Sequence, residues 1–348
     1  MSWVLPTSSR SFIRLQDDKP RDAVRQWLRW LTAGCCVLLC ACSGLPAQHD
    51  YAGLSLAPAR ELSATPFFPQ VDYQCGPAAL AGVLNAQGAA VSPAELTPLV
   101  YIPARKGSLQ VEMLTTPARY GRLGVRTQPS MAALLQLLSA GQPVVVLQNF
   151  GLASHPVWHY AVAIGYSLEP PRIILRSGTR ERVSYPFRVF RKTWSRAAFW
   201  GMVVLQPGQI PAAGVVLDDY LPAVTALERQ GRYALAGQAY HAATRRWPDS
   251  ALAWSGAGNS AYAQAQPAAA AVAYRRALAL DPSNRLIMNN LALALAQQGC
   301  VQQAQGVLAC ARRGNFSAAV LAETANEIRQ FADTGGNCQA FSCPLAPE

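Results

Sequence analysis

The apolar positions of this chain follow three different patterns. Between residues 21 and 42 a basic stretch (Arg21, Arg25, Arg29) leads into about a dozen apolar residues and then small ones, a run too short to cross a membrane. Between about Thr65 and Pro207, short apolar runs alternate with turn signals. Pro143–Asn149, Val157–Tyr166, Arg172–Leu175 and Phe199–Leu205 read as strands. Ahead of and among them, stretches near 76–87, 109–121 and 130–140 carry helical periodicity. Helices first and sheet second predict an α+β domain over residues 65–207, flanked by linkers at 42–64 and 208–216.

From Leu217 the pattern changes to alanine-rich helical segments that repeat every 34 residues, with units starting at Leu217, Ala251 and Arg285. Small residues recur where paired helices must approach closely: Val224, Gly258 and Ala292; Ala236, Ala270 and Ala304; Ala243, Ala277 and Ala311. Large side chains recur where space between helices must be filled, at Tyr220, Trp254 and Met288 and again at Tyr240, Tyr274 and Leu308. Pro248 and Pro282 end the first two units; Phe316 stands at that place in the third. The period is that of tetratricopeptide repeats, so residues 217–318 are expected to form an all-α solenoid of three repeats. Residues 319–348 would supply a capping helix and a tail, with Ala318–Ala332 as the helix. Such arrays hold peptides or partner proteins in a concave groove, which implies binding rather than chemistry.

Composition narrows the class. With 348 residues, 51% hydrophobic and 14% charged, the chain has ample core for two domains and too little charge for a disordered protein. The net charge of +11 rests on 27 Arg and only 3 Lys, spread along the chain, with no helix-turn-helix, RNP or zinc-finger pattern; no nucleic-acid partner is expected. Eight basic residues between Arg172 and Arg196 face only Glu181. They read as a solvated face, with an acidic peptide or an anionic membrane surface as the alternative.

The N-terminal run has the layout of an export signal, and its end, Leu39-Cys40-Ala41-Cys42, resembles a bacterial lipobox. The resemblance implies cleavage after residue 41 and lipidation of Cys42, and Ser43, in place of the Asp that retains lipoproteins at the inner membrane, implies an outer-membrane anchor facing the periplasm. Export leaves five further cysteines. In an oxidising compartment an odd set reads as one reactive thiol plus pairs. Cys75 stands alone, whereas Cys300, Cys310, Cys338 and Cys343 cluster and can pair in three ways.

The same position marks Cys75 chemically. It precedes a predicted helix in Gln70-Val-Asp-Tyr-Gln74-Cys75-Gly-Pro-Ala-Ala-Leu80, where the helix dipole favours thiolate. His155 and His159 are the histidines of this region, and His159 lies within a predicted strand that would hold an imidazole rigidly. A thiolate–imidazolium pair, with an upstream amide such as Gln70 completing an oxyanion hole, is one way to activate a cysteine. No metal-ligand spacing, phosphate loop, dinucleotide glycine pattern or serine elbow appears, so no metal or cofactor is expected.

Gln70, the Cys75–Leu80 run and Trp158-His159-Tyr160-Ala-Val-Ala-Ile-Gly165 together resemble the papain-like cysteine peptidases that remove double-glycine leaders from bacteriocin precursors. The resemblance covers roughly residues 65–206 and implies Cys75 as nucleophile, His159 as general base and Gln70 as oxyanion donor. Two positions depart from that family. Where an Asp-Pro pair commonly orients the histidine, this chain reads Leu175-Arg176-Ser177-Gly178, with Ser177 the nearest equivalent. Gln74 replaces a frequent Asp before the nucleophile, which leaves Gln70 and Gln74 both as candidate donors. The expectation is a membrane-anchored cysteine peptidase acting on a peptide or protein, with a repeat domain for a protein partner. The alternative is a catalytically inactive binding module on the same fold.

Overall fold

The computed structural model describes residues 51, 53–70, 74–313, 317–335, 338 and 340–343; the export segment with Cys42, and Phe316, lie outside them. An antiparallel sheet frames the first half. Its order is β4 (Leu123–Arg126), β9 (Gly201–Leu205), β5 (Val144–Asn149), β6 (Trp158–Leu168), β7 (Pro171–Ser177) and β8 (Arg180–Pro186), and β1 (Ala59–Glu61) pairs with the far half of β6. Strands β5 and β9 are buried along their whole length, which is why Val144–Leu147 and Met202–Leu205 read as unbroken apolar runs; β5 also buries the polar Gln148 and Asn149. Residues 59–61, inside the segment expected as a linker, are thus part of the sheet.

One face of the sheet receives α1 (Cys75–Ala86). Its Leu80, Val83 and Leu84 pack with Val145, Tyr160, Val162, Ile164, Met202 and Val204. The alternate residues Val144, Val146, Ala161, Ala163 and Val203 are buried as well, and α4 (Met131–Ser139) and α5 (Phe187–Ser195) pack on β5. Each of the buried valine, leucine, isoleucine and methionine side chains contributes about 1.5–3 kcal/mol through burial.

Several elements differ from the sequence reading. The stretch 109–121 is a short helix, α3 (Gln110–Thr115), followed by a 3-10 turn at Thr116–Tyr120, because Pro117 has no N–H to continue the α-helix. Helix α2 (Pro93–Val100) starts at a capping box in which Ser92 and Glu95 bond each other's backbone N–H groups. A two-stranded hairpin, β2 (Tyr101–Ile102) with β3 (Gly107–Ser108), links it to α3.

The second half is a helical repeat solenoid. Helix pairs α6 (Leu217–Arg229) and α7 (Tyr233–Arg246), α8 (Ala251–Ala263) and α9 (Pro267–Leu280), and α10 (Arg285–Gln297) and α11 (Val301–Ala311) are followed by α12 (Ala318–Ile328). Gly256 and Gly258 lie directly against the rings of Tyr240 and Tyr274, leaving no room for a Cβ; the roughly 1 kcal/mol that a helical glycine costs is offset by two buried tyrosines. Cys300–Cys338 and Cys310–Cys343 are disulfides that bind the tail to the last pair.

The solenoid is docked on the sheet. Helix α6 packs along β4, Arg232 Nη2 donates to Arg119 O at 2.6 Å, and Leu235 rests on Gly121, whose φ of +66° also suits glycine. The segment expected as a linker is pinned between them: Gly214 O accepts from Gln128 N–H, and Arg246 bonds Ala212 O.

Candidate active site

Cys75 is the first residue of α1 and the free cysteine among the described residues. Its neighbour explains the local sequence. A Cβ on Gly76 would collide with Ser108, whose Cβ lies 2.6 Å from that position, so the glycine lets the β2–β3 hairpin close over the start of the helix. Burial pushes the Cys75 thiol up, and backbone N–H groups of Tyr160, Gly76 and Cys75 facing the sulfur oppose it without prevailing. The helix-end argument alone favours a thiolate; here desolvation is the larger effect.

His159 sits near the start of β6, paired with the buried Gln148 of β5. Its Nε2 is 2.9 Å from Ser177 Oγ, and Phe150 lies over it with ring centroids 5.5 Å apart. Burial pushes the imidazole below its usual value, so the ring is neutral near pH 7. Ser177, itself buried at the end of β7, occupies the position the sequence marked for an orienting group. With Nε2 engaged there, Nδ1 is the nitrogen left for a thiol.

Gln70 is fixed by its own N–H to Gly178 O and by its side-chain amide to Tyr160 O at 3.4 Å. It lines the same cleft as Cys75 and His159, whereas Gln74 occupies the N-cap position of α1 without a side-chain cap bond. The cleft has a volume of about 1000 Å³. Arg105–Leu109, a hairpin stretch that sequence reasoning did not single out, helps to complete it, with Gln110 at the start of α3, Leu147, Pro156–Trp158 leading into β6, and Gly178–Thr179 after β7. Tyr160 OH donates to Ser108 O and so ties the hairpin to β6. Lys106 turns the hairpin in a left-handed conformation, φ +47°. Among the described residues no group of three His, Cys, Asp or Glu is placed to hold a metal ion, and no helix is long and apolar enough to span a membrane.

The cleft thus brings together the kinds of group that nucleophilic chemistry draws on: a thiol, an imidazole and the side-chain amide of Gln70. Comparison with known proteins agrees on the domain that carries them: residues 62–201 match the family described as Peptidase_C39 like family. This segment is similar to a C39-like domain in its α+β fold. Among solved structures, the chain is similar to a C39-like peptidase from Bacillus anthracis at 19% identity and a TM-score of 0.37, over 43% of this chain and 98% of that one. It is also similar to a double-glycine motif protease from an AMS/PCAT transporter, solved with its leader peptide, at 18% identity and a TM-score of 0.32, over 40% of this chain and 91% of that one. No curated protein matches the chain. The C39-like domain thus contains α1, the hairpin and the sheet strands that line the cleft.

Proposed function

We infer that this protein is a cysteine peptidase in which Cys75 is the nucleophile and His159 the general base. The observation that carries this reading is the His159–Ser177 contact of 2.9 Å, in the cleft that also holds the free Cys75 thiol. The resting pair is uncharged. As Cys75 Sγ attacks a peptide carbonyl, its proton passes to His159, the carbonyl oxygen gains negative charge, and Gln70 Nε2 with the Cys75 N–H hold it. His159 then returns the proton to the leaving amine, and water releases the acyl group. Ser177 orients the ring without supplying a charge.

The helix pairs starting at Leu217, Ala251 and Arg285 support a reading as tetratricopeptide repeats that recruit a protein partner or the substrate. Lipidation at Cys42 and residence at the outer membrane complete the proposal on sequence grounds. The test is cleavage of a peptide library, read by mass spectrometry. Wild type should cleave, while Cys75→Ala and His159→Ala should lose at least about a thousandfold in rate with unchanged circular dichroism. Cleavage that survives Cys75→Ala would remove the assignment.

One observation favours a second reading. Ser177 stands where the resembled family has an acid, and burial holds the thiol protonated, so the cleft would also suit a peptide-binding module without turnover. That reading expects wild type and Cys75→Ala to bind the same peptides equally and neither to cleave them.

A further inference from the structure

Helix α5 has two very different sides. Phe187, Phe190 and Trp194 are buried against the sheet, while Arg188, Arg191 and Lys192 are exposed and form no ion pair with a described residue. The acid nearest in sequence, Glu181, is paired with the buried Arg176. Beside this helix the β5–β6 loop leaves large apolar side chains in water: Leu152 is 67% exposed, Val157 58% and Trp158 51%. The loop is not loosely held. Asn149 Oδ1 accepts from the N–H groups of Gly151 and Val157, and Arg196, just past α5, donates to Asn149 O and Gly151 O. Arg196 therefore ties the end of the basic helix directly to the apolar loop.

We propose that this surface docks the protein on an anionic phospholipid bilayer. Unpaired arginine and lysine attract lipid phosphates, and tryptophan, leucine and valine beside them gain by entering the headgroup boundary, an arrangement shared by interfacial protein surfaces. An acidic protein or a nucleic acid would satisfy the arginines and leave the loop's side chains exposed. Docking also orients the site, because Val157 and Trp158 line the cleft: its mouth opens at the bilayer. Substrates would then be peptides lying on a membrane, a consequence that rests on the peptidase reading, whereas docking itself does not.

The test is hydrogen exchange on the full chain mixed with vesicles of phosphatidylethanolamine and phosphatidylglycerol, or of phosphatidylcholine alone. Residues 150–158 and 187–196 should gain protection only on the anionic vesicles. Each basic residue is worth about a fivefold change in partitioning, so R188E/R191E/K192E should lower affinity by roughly a hundredfold and remove that protection. The same variant should cleave soluble peptides like wild type, and Cys75→Ala should dock normally, which separates failure of docking from failure of catalysis. Equal protection on phosphatidylcholine, protection unchanged by charge reversal, no protection on either vesicle, or full protection by soluble polyglutamate would each overturn the proposal.

Discussion

At the scale of single residues, the site works through burial more than through charge. Both shifts favour uncharged forms: the Cys75 thiol is raised and the His159 imidazole lowered by desolvation. A base must be neutral to accept a proton. The acid limb of kcat/KM is therefore expected below about 6.5, the usual imidazole value, and alkylation at the Cys75 peptide should lag that of an ordinary thiol, which titrates near about 8.5. Rapid alkylation at neutral pH would contradict this. Ser177→Ala should cost about tenfold in kcat by freeing the ring, while Ser177→Asp should move the acid limb upward, since a carboxylate beside the ring favours imidazolium. An acid limb that stays in place in Ser177→Asp would sink the contact as a catalytic one. The helix-start cysteine, the strand histidine and Ser177 were all legible as sequence. The balance between helix end and desolvation was not, because burial of the thiol depends on a hairpin with no pattern of its own.

At the scale of elements, the long apolar strands and the repeats announced themselves, and short polar pieces did not. Strand β8 (Arg-Glu-Arg-Val-Ser-Tyr-Pro) is exposed over its first half and shows no clean alternation, and β1 spans three exposed residues. Helix α2 did carry a signal, Ser92 with Glu95 three residues on, that periodicity alone passes over. The basic run from Arg172 to Arg196 is likewise not uniform. Arg176 is buried and bonds Ser63 O, Thr65 O and Glu181 O, fastening β7 to the segment after β1; Arg182 pairs with Glu61 of β1. Arg176→Ala leaves those carbonyls without a donor and should destabilise the fold by about 2–4 kcal/mol. The corresponding exposed change, Arg188→Ala, should stay within about 0.5 kcal/mol. Equal unfolding midpoints for the two variants would show that Arg176 is dispensable.

At the scale of the whole molecule, the C-terminal cysteines close the solenoid. Sequence left three pairings open; the structure joins Cys300 to Cys338 and Cys310 to Cys343, links of 38 and 33 residues. The tail so held brings Phe331 and Phe341 onto the core of the last helices, covering a face that another repeat would otherwise occupy. Loop closure of that length is worth about 3–4 kcal/mol per link. Cys300→Ser with Cys310→Ser should therefore lower the thermal midpoint and expose the tail, at Phe331 and Phe341, to chymotrypsin before the rest of the chain. Simultaneous digestion of tail and sheet would argue against a separate clasp.

The contact of α6 with β4 has a consequence for how the chain can be divided. Strand β4 pairs with β9 on one side only, and the first helix of the solenoid lies along it. Cut near residue 207, the sheet would keep a bare margin of unspent N–H and C=O groups, the kind of border on which a second copy can grow. Such a fragment should sediment as oligomers where the intact chain sediments as discrete particles. The solenoid is then a selvedge for the sheet, and a C39-like half that reaches the cell without it would be a seed for aggregates.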